Sequence, residues 1–313
     1  MAQALQKQME GTWDDYKKWV TEVAKRGFIF RGQSIAKWTL VSLWHRLAQD
    51  KNLRSFHSLL PFVHDYVSPW ADRAWDLAQP LQLTAFIGFL RHHGFPTPLL
   101  DWTESPYMAA YFAFEGVNDE EPESDHVAIF AFNRFGFLAE WQQTTDLTSE
   151  TPHVSLIAVP AMGNPKHIVQ QSAYTFSSVI DQEQHIRGLE DEATAKRGGL
   201  LQAERIYLVK YRIDVKEKPS AMRELRLMGI NATTLFPGSM EAVCKGYQEW
   251  VFSVDKIGET PKERLVKFLA ELAKTRKEHE QTQLSLSINA ETQEAHETGA
   301  GEAPATGPQE AGE

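Results

Sequence analysis

A single cysteine, Cys244, stands in 313 residues. It has no partner for an intramolecular disulfide, so the chain needs no oxidising compartment, and no cysteine-based zinc signature can be built from it. No run of about 18 uncharged apolar residues occurs, so no membrane span is expected. The N-terminal stretch MAQALQKQMEGTWDDYKKWV has no long apolar run followed by small residues. No secretory leader is expected, and the cytoplasm is the expected location. No internal repeat is evident. Positive charge is also scarce: 32 Lys and Arg against 42 Asp and Glu give a net charge of −10. That balance disfavours a broad basic surface for long duplex DNA and leaves room only for a local basic groove.

The deficit is unevenly spread. Residues 286–313 hold Glu291, Glu294, Glu297, Glu302, Glu310 and Glu313 and no Lys or Arg, so −6 of the −10 belongs to them and −4 to the rest. The stretch 285–313 is rich in Ala, Gly, Glu, Thr and Pro, too apolar-poor to offset the entropy of ordering, and reads as a disordered acidic tail. Residues 253–284 contain a helical pattern that Pro261 opens, with Leu265, Phe268, Leu269 and Leu272 on one face. The remaining stretch, 1–252, carries the apolar and aromatic residues of one globular domain.

Within it, residues 12–25 read as an amphipathic helix with Trp13, Tyr16, Trp19, Val20 and Val23 on one side, closed by Gly27. Phe28, Ile29 and Phe30 form a short buried strand that runs into Arg31-Gly32-Gln33. Residues 40–60 and 62–93 read as helices with loops between them. Residues 96–102 are extended, and Ser105-Pro106 opens a helix over 107–114. Strands are expected over 126–132, 154–159, 173–176 and 206–213, and helices over 221–228 and 241–247. Helices dominate the first third and strands the middle, which implies an α+β fold with a helical N-terminal part.

Four segments hold the candidate chemistry. In Phe30-Arg31-Gly32-Gln33, an Arg at the end of a buried strand needs a partner. Its planar fork suits phosphate or carboxylate, and the alternative is a structural pair with a core acid such as Asp101. Gly32 would let a ligand approach the backbone. The run from Arg91 through His92, His93, Thr97, Asp101, Trp102, Thr103, Glu104 and Ser105 places two histidines, acids and hydroxyls before a helix start, a setting for anions or for a simple cap. No third ligand at a metal spacing accompanies the histidines, so no metal site is expected. The third segment, 166–176, has Gln170 and Gln171 before a strand with Tyr174; amides read hydrogen-bonding ligands and a tyrosine can stack on a ring. The fourth is Leu235-Phe236-Pro237-Gly238 before Glu241, a tight turn leading into a short helix.

Taken in order, these segments resemble the FRG domain. The strand ending in Phe30-Arg31-Gly32 is similar to the motif that names the family. The run from His92 to Thr103 resembles its H-H-G-x-P-T-x-L-L-D-W-T signature. Gln170-Gln171-Ser172-Ala173-Tyr174 and Leu235-Phe236-Pro237-Gly238 are weaker likenesses, and the resemblance spans roughly residues 12–252. Pro98, Ser172 and Gly238 depart from the pattern, standing where the family often has a basic residue, a Gly and an acid.

The layout is also similar to that of ADP-ribosyltransferases, which implies a split mixed or antiparallel sheet and NAD as substrate. Under that resemblance Arg31, with Gly32 and Gln33, holds the NAD pyrophosphate. His92 and Thr103 contact the nicotinamide ribose, Tyr174 stacks near the nicotinamide, and Gln171 is a further cofactor-binding candidate. The late glutamate of such enzymes is replaced by Gln170 or Gln171, which leaves Asp101 or Glu241 as the candidate acid beside Arg31. The implied setting is a toxin or antiviral defence effector, with a protein or nucleic-acid acceptor and a possible antitoxin partner. Two other functions fit the same residues. One is a non-catalytic nucleotide-binding module signalling through the C-terminal helix. The other is a metal-independent hydrolase or nuclease with His92 as base and Asp101 as its orienter.

Overall fold

A computed structural model describes residues 5–48, 52–71, 73–149, 151–160, 165–196 and 205–251, together with Ala270 and Lys274. The expected helix over 253–284 and the expected tail lie outside the described residues, apart from those last two positions. Met1–Gln248 form one compact unit and Glu249–Glu313 a second; the architecture below is that of the first.

Its first half runs β1 (Gln8–Glu10), α1 (Trp13–Val23), β2 (Phe28–Gln33), α2 (Leu43–Leu47), α3 (Leu53–Val67), α4 (Pro80–His92), β3 (Leu99–Thr103) and α5 (Pro106–Glu115). The second half runs β4 (His126–Asn133), α6 (Arg134–Leu138), β5 (Val154–Ile157), α7 (Pro165–Val169), β6 (Ser172–Ser177), α8 (Gln182–Lys196), β7 (Leu208–Asp214), α9 (Lys218–Leu227), α10 (Ala232–Leu235) and α11 (Met240–Val251). The class is α+β, as the sequence implies. Among the described residues no helix is long and apolar enough to cross a membrane.

The strands form one mixed sheet in the order β1-β7-β4-β2-β3-β6-β5. Only β1 and β7 run parallel; the other neighbours are antiparallel. The sheet is nearly parted in two. Strand β2 pairs with β4 along its whole length, from Phe28↔Asn133 to Gln33↔Ala128, and β3 pairs with β6 from Leu99↔Phe176 to Thr103↔Ser172. Between β2 and β3 a single register position holds, Phe30↔Thr103. Beyond it the two halves separate, and Arg31 and Gly32 on one side face Asp101 and Trp102 on the other.

Both faces of the larger half are covered, so its inner strand is apolar on alternate positions of both sets. In β4, Val127, Ile129 and Ala131 pack into the cluster built on α1 and α5, while Ala128, Phe130 and Phe132 pack into the cluster that holds Phe137 and Ile186. This is the near-continuous apolar run expected of a strand buried on two sides. Strand β2 alternates in the same way, with Phe28 and Phe30 on the first face and Ile29 on the second. Helix α1 buries the five residues its periodicity picks out, and Thr12 with Asp15 closes a capping box at its start. A third cluster, under α3 and α4, takes Leu99, Tyr174 and Phe176 from the smaller half of the sheet.

Several expected boundaries change. Residue 61 is no helix boundary: Pro61 lies inside α3, which continues to Val67. The stretch 62–93 is divided between the end of α3 and α4, whose first residue is Pro80. Strand β2 ends in Arg31-Gly32-Gln33, as the sequence implies. Strand β1 and helix α8 are absent from the sequence reading. Strand β1 is three residues long and mostly exposed. Helix α8 buries Gln182 and Glu190 beside Ile186 and Ala193, so its apolar periodicity is weak.

Candidate functional site

The parting of the sheet opens a cleft of about 320 Å³. All four sequence segments contribute to its lining. Phe30, Arg31 and Gly32 come from β2; Arg91 and His92 from the end of α4; Asp101, Trp102 and Thr103 from β3; Lys166, Gln170 and Ser172 from the α7–β6 region; and Phe236 from the turn after α10, with Ala109 and Phe112 of α5 alongside. Residues up to two hundred positions apart are thereby set around one space.

Arg31 spans the split. Where the β2–β3 ladder would continue, its Nη1 donates to the main-chain carbonyl of Asp101 at 2.7 Å. Its Nε is buried and has no hydrogen-bond partner. Burial pushes the guanidinium down to about 10, against the pull of Asp101, and it stays protonated at neutral pH. The alternative pairing of Arg31 with the Asp101 carboxylate is corrected here: that carboxylate belongs to Arg91. Arg91 Nε donates to Asp101 Oδ2 at 2.9 Å, and Nη2 reaches the same oxygen. Asp101 is therefore not a free acid but one half of an ion pair in the cleft wall.

Thr103 and Gln170 tie the segments together. Thr103 Oγ1 donates to the Gln170 carbonyl at 2.7 Å and accepts from the Ser105 amide at 3.1 Å, at the capped start of α5. Gln170 Nε2 donates to the Leu235 carbonyl at 3.0 Å, which anchors the turn that carries Phe236. Between them Gln171 takes a left-handed backbone, φ 47°, and its carbonyl accepts from Glu104. A non-glycine residue held there is costly and marks a position fixed by its surroundings.

Of the other expected site residues, His92 lines the cleft while Gln33, Gln171, Tyr174 and Glu241 do not. Gln33 is buried and donates to Thr39. Glu241 is exposed at the start of α11. The expectation that Tyr174 offers a stacking surface to a ligand is corrected: the ring is 1% exposed, and its hydroxyl meets His92 Nε2 at 2.7 Å. Tyr174 holds His92 in place. Arg91 and Lys166 stand within the quoted segments yet have no assigned role in the sequence reading. Arg91 is the cation in the last turn of α4, immediately before His92, and that position was the available signal.

Among the described residues the cleft lining holds three cations, Arg31, Arg91 and Lys166, and one carboxylate, Asp101, which is paired with Arg91. Lys166 also lies over the Phe236 ring, 5.6 Å from its centroid, and Phe236 meets Phe112 edge to face with centroids 6.2 Å apart. Positive charge in a partly desolvated space favours an anion, and two aromatic rings beside it favour a flat group. Among the described residues no three His, Cys, Asp or Glu side chains are grouped to hold a metal ion.

Burial drives the His92 pKa down to about 4, which the Asp101 charge only partly opposes. The ring is neutral in the folded protein at pH 7. The ordinary histidine value is near 6.5. The stabilisation from keeping it neutral is complete above that value and is lost as pH falls towards 4, because the unfolded chain takes up the proton first. The melting midpoint is expected to fall between pH 7 and pH 5 by ~2–4 °C more in the parent than in His92→Gln, after allowance for the ring's partial exposure. Parallel melting curves at the two pH values check this; equal slopes would place His92 outside the buried network.

Residues 26–122 match the FRG domain. The matched stretch contains Arg31, Arg91, His92, Asp101 and Thr103. It ends before Lys166, Gln170, Ser172 and Phe236, so the family resemblance holds over 26–122 and is narrower than the 12–252 suggested by the weaker motifs. No curated protein and no solved structure matches the chain.

Proposed function

We propose that this FRG-domain protein binds NAD in the cleft between the two halves of its sheet and transfers ADP-ribose to an acceptor. One observation carries the reading. The sheet parts beside Arg31, and the cations and aromatic rings of four distant segments converge on the gap. Such a gap suits a dinucleotide, and it supports the likeness to ADP-ribosyltransferases drawn from the sequence. Arg31 lines the cleft with Nη1 held on the Asp101 carbonyl, which orients the guanidinium that would grip the pyrophosphate. Lys166 adds a second positive charge, and Phe236 and Phe112 offer faces to the planar rings. His92 and Thr103 border the space where the nicotinamide ribose would lie. As the C1′–N bond lengthens, nicotinamide departs neutral and positive charge grows on the ribose. The chain's part is to orient the dinucleotide and limit water. An enzyme that consumes NAD in this way suits a toxin or defence effector.

A second reading has its own support. Among the described residues of the cleft lining the one carboxylate is tied to Arg91, and an amide, Gln170, stands near the start of β6. A cleft so short of free acid suits a nucleotide-binding sensor. Incubation of the full chain with NAD labelled in the nicotinamide separates the two. Release of free nicotinamide together with saturable NAD binding is the expected result. Binding without release selects the sensor, and absence of binding removes both.

A further inference from the structure

Away from the cleft, helix α3 shows solvent a row of large apolar side chains. Leu59 is 36% exposed, Phe62 73%, Tyr66 77% and Trp70, in the turn that follows the helix, 85%. Their spacing of three and four residues puts them on one side of the helix. The opposite side is already used: Phe56 and Leu60 are buried in the cluster that holds Tyr174, with Val63 and Val67 packed against it. The row is therefore surplus to the core. Three aromatic rings at those exposures leave about 400–500 Å² of apolar surface in contact with water, on the scale of the largest patch a monomer carries, and such a patch marks a contact surface.

We propose that the occupant of this surface is a second copy of the chain, the two α3 helices packing antiparallel across a two-fold axis. The row is graded along the helix. Ser55 and Ser58 precede Leu59 on the same side, and the side chains then enlarge through Phe62 and Tyr66 to Trp70. Turned end for end, the row fits itself. With the axis near Leu60 and Pro61, Leu59 of one copy meets Phe62 of the other, and Tyr66 lies over the small Ser55. Self-complementarity of this kind is what an isologous contact requires. The area agrees: two such rows with their flanking residues remove roughly 1,000 Å² from water in total, which reaches the lower bound for a specific interface. A lipid surface is disfavoured by Asp65, whose side chain is 86% exposed at the edge of the row and would have to be desolvated. The dimer is independent of what the cleft binds.

The test is sedimentation velocity of the full chain from about 1 to 200 µM, the range in which an interface of this size associates. The expected result is a 35.5 kDa monomer at the low end that passes to a species of twice that mass. Phe62→Glu and, separately, Tyr66→Ser should each weaken the association roughly tenfold or more. Their melting midpoints should stay within ~2 °C of the parent, because both side chains are exposed. If Phe62→Glu fails to fold, Tyr66→Ser decides. The arrangement is read separately. In a Cys244→Ser background, a short thiol cross-linker should join a mixture of Ser55→Cys and Asp65→Cys chains more readily than it joins either chain to itself. A monomer at every concentration overturns the proposal, as does a dimer that a folded Phe62→Glu or Tyr66→Ser protein leaves intact. Preferential joining of like with like overturns the antiparallel packing.

Discussion

Gly32→Ala is expected to lower the melting midpoint by ~10 °C or to prevent folding, and a thermal melt followed by circular dichroism measures it. A Cβ built on Gly32 would sit 1.9 Å from the Ala109 carbonyl oxygen and 2.6 Å from the Ala113 amide nitrogen, both main-chain atoms of α5. Neither can swing aside as a side chain can. Either the helix lifts off the strand or β2 buckles, and overpacking of this kind costs about 3 kcal/mol or more. The small residues Ala109, Ala110 and Ala113 on α5 are fully buried and match the missing side chain, so helix and strand backbones come into contact. The glycine beside Arg31 therefore has a packing duty as well as lining the cleft. It fixes α5, whose Ser105 cap receives β3 at Thr103, against the strand that carries the arginine. A midpoint within ~2 °C of the parent would show that α5 does not bear on β2 in this way.

Much of this arrangement could be read from the chain. Strand β4 announces itself because it is buried on both faces, and α1 because five large residues fall on one helical side. The Ser105-Pro106 start of α5 is a capping signal with a clear mechanism. What escaped the reading shares a physical cause: the stabilising partner lies far along the chain or is polar. Strand β1 has little apolar character, and its existence depends on parallel pairing with β7, two hundred residues on. Helix α8 buries Glu190, whose Oε1 accepts from the Tyr207 and Leu208 amides while Oε2 pairs with Arg187. A glutamate satisfied by backbone looks like a surface residue in the sequence. The site follows the same rule. The segments that build it were visible, because Arg, His and Gln near strand ends are unusual. Which side chain meets which was not. Nothing local says that Asp101 turns its carboxylate to Arg91 and only its carbonyl to Arg31, or that Tyr174 faces inward to His92.

That division of Asp101 between two arginines sharpens what Arg31 substitutions should do. Had Arg31 held the carboxylate, its removal would strand a charge and cost about 3–5 kcal/mol. Since Arg91 holds the carboxylate, Arg31→Ala abandons one carbonyl oxygen, a loss of about 1–2 kcal/mol, and the protein should still fold. Arg31→Lys should be milder, because an ammonium can reach the same carbonyl. Binding should suffer even in the lysine variant, which folds best. The lysine retains the charge but has no planar fork, so it cannot grasp an anion through one edge while bonding the Asp101 carbonyl through another. NAD affinity is expected to fall by about 1.5–3 kcal/mol, the worth of a charge-assisted hydrogen bond, which is roughly ten- to a hundredfold in Kd. Arg91→Ala supplies the contrast: it leaves the Asp101 carboxylate without its partner and adds negative charge to the cleft, so it should weaken both folding and NAD binding. Calorimetric titration with NAD and a thermal melt on the same preparations of all three variants distinguish these outcomes. A well-folded Arg31→Lys protein that binds NAD as tightly as the parent would remove Arg31 from the ligand. The parted sheet would then be a feature of packing alone.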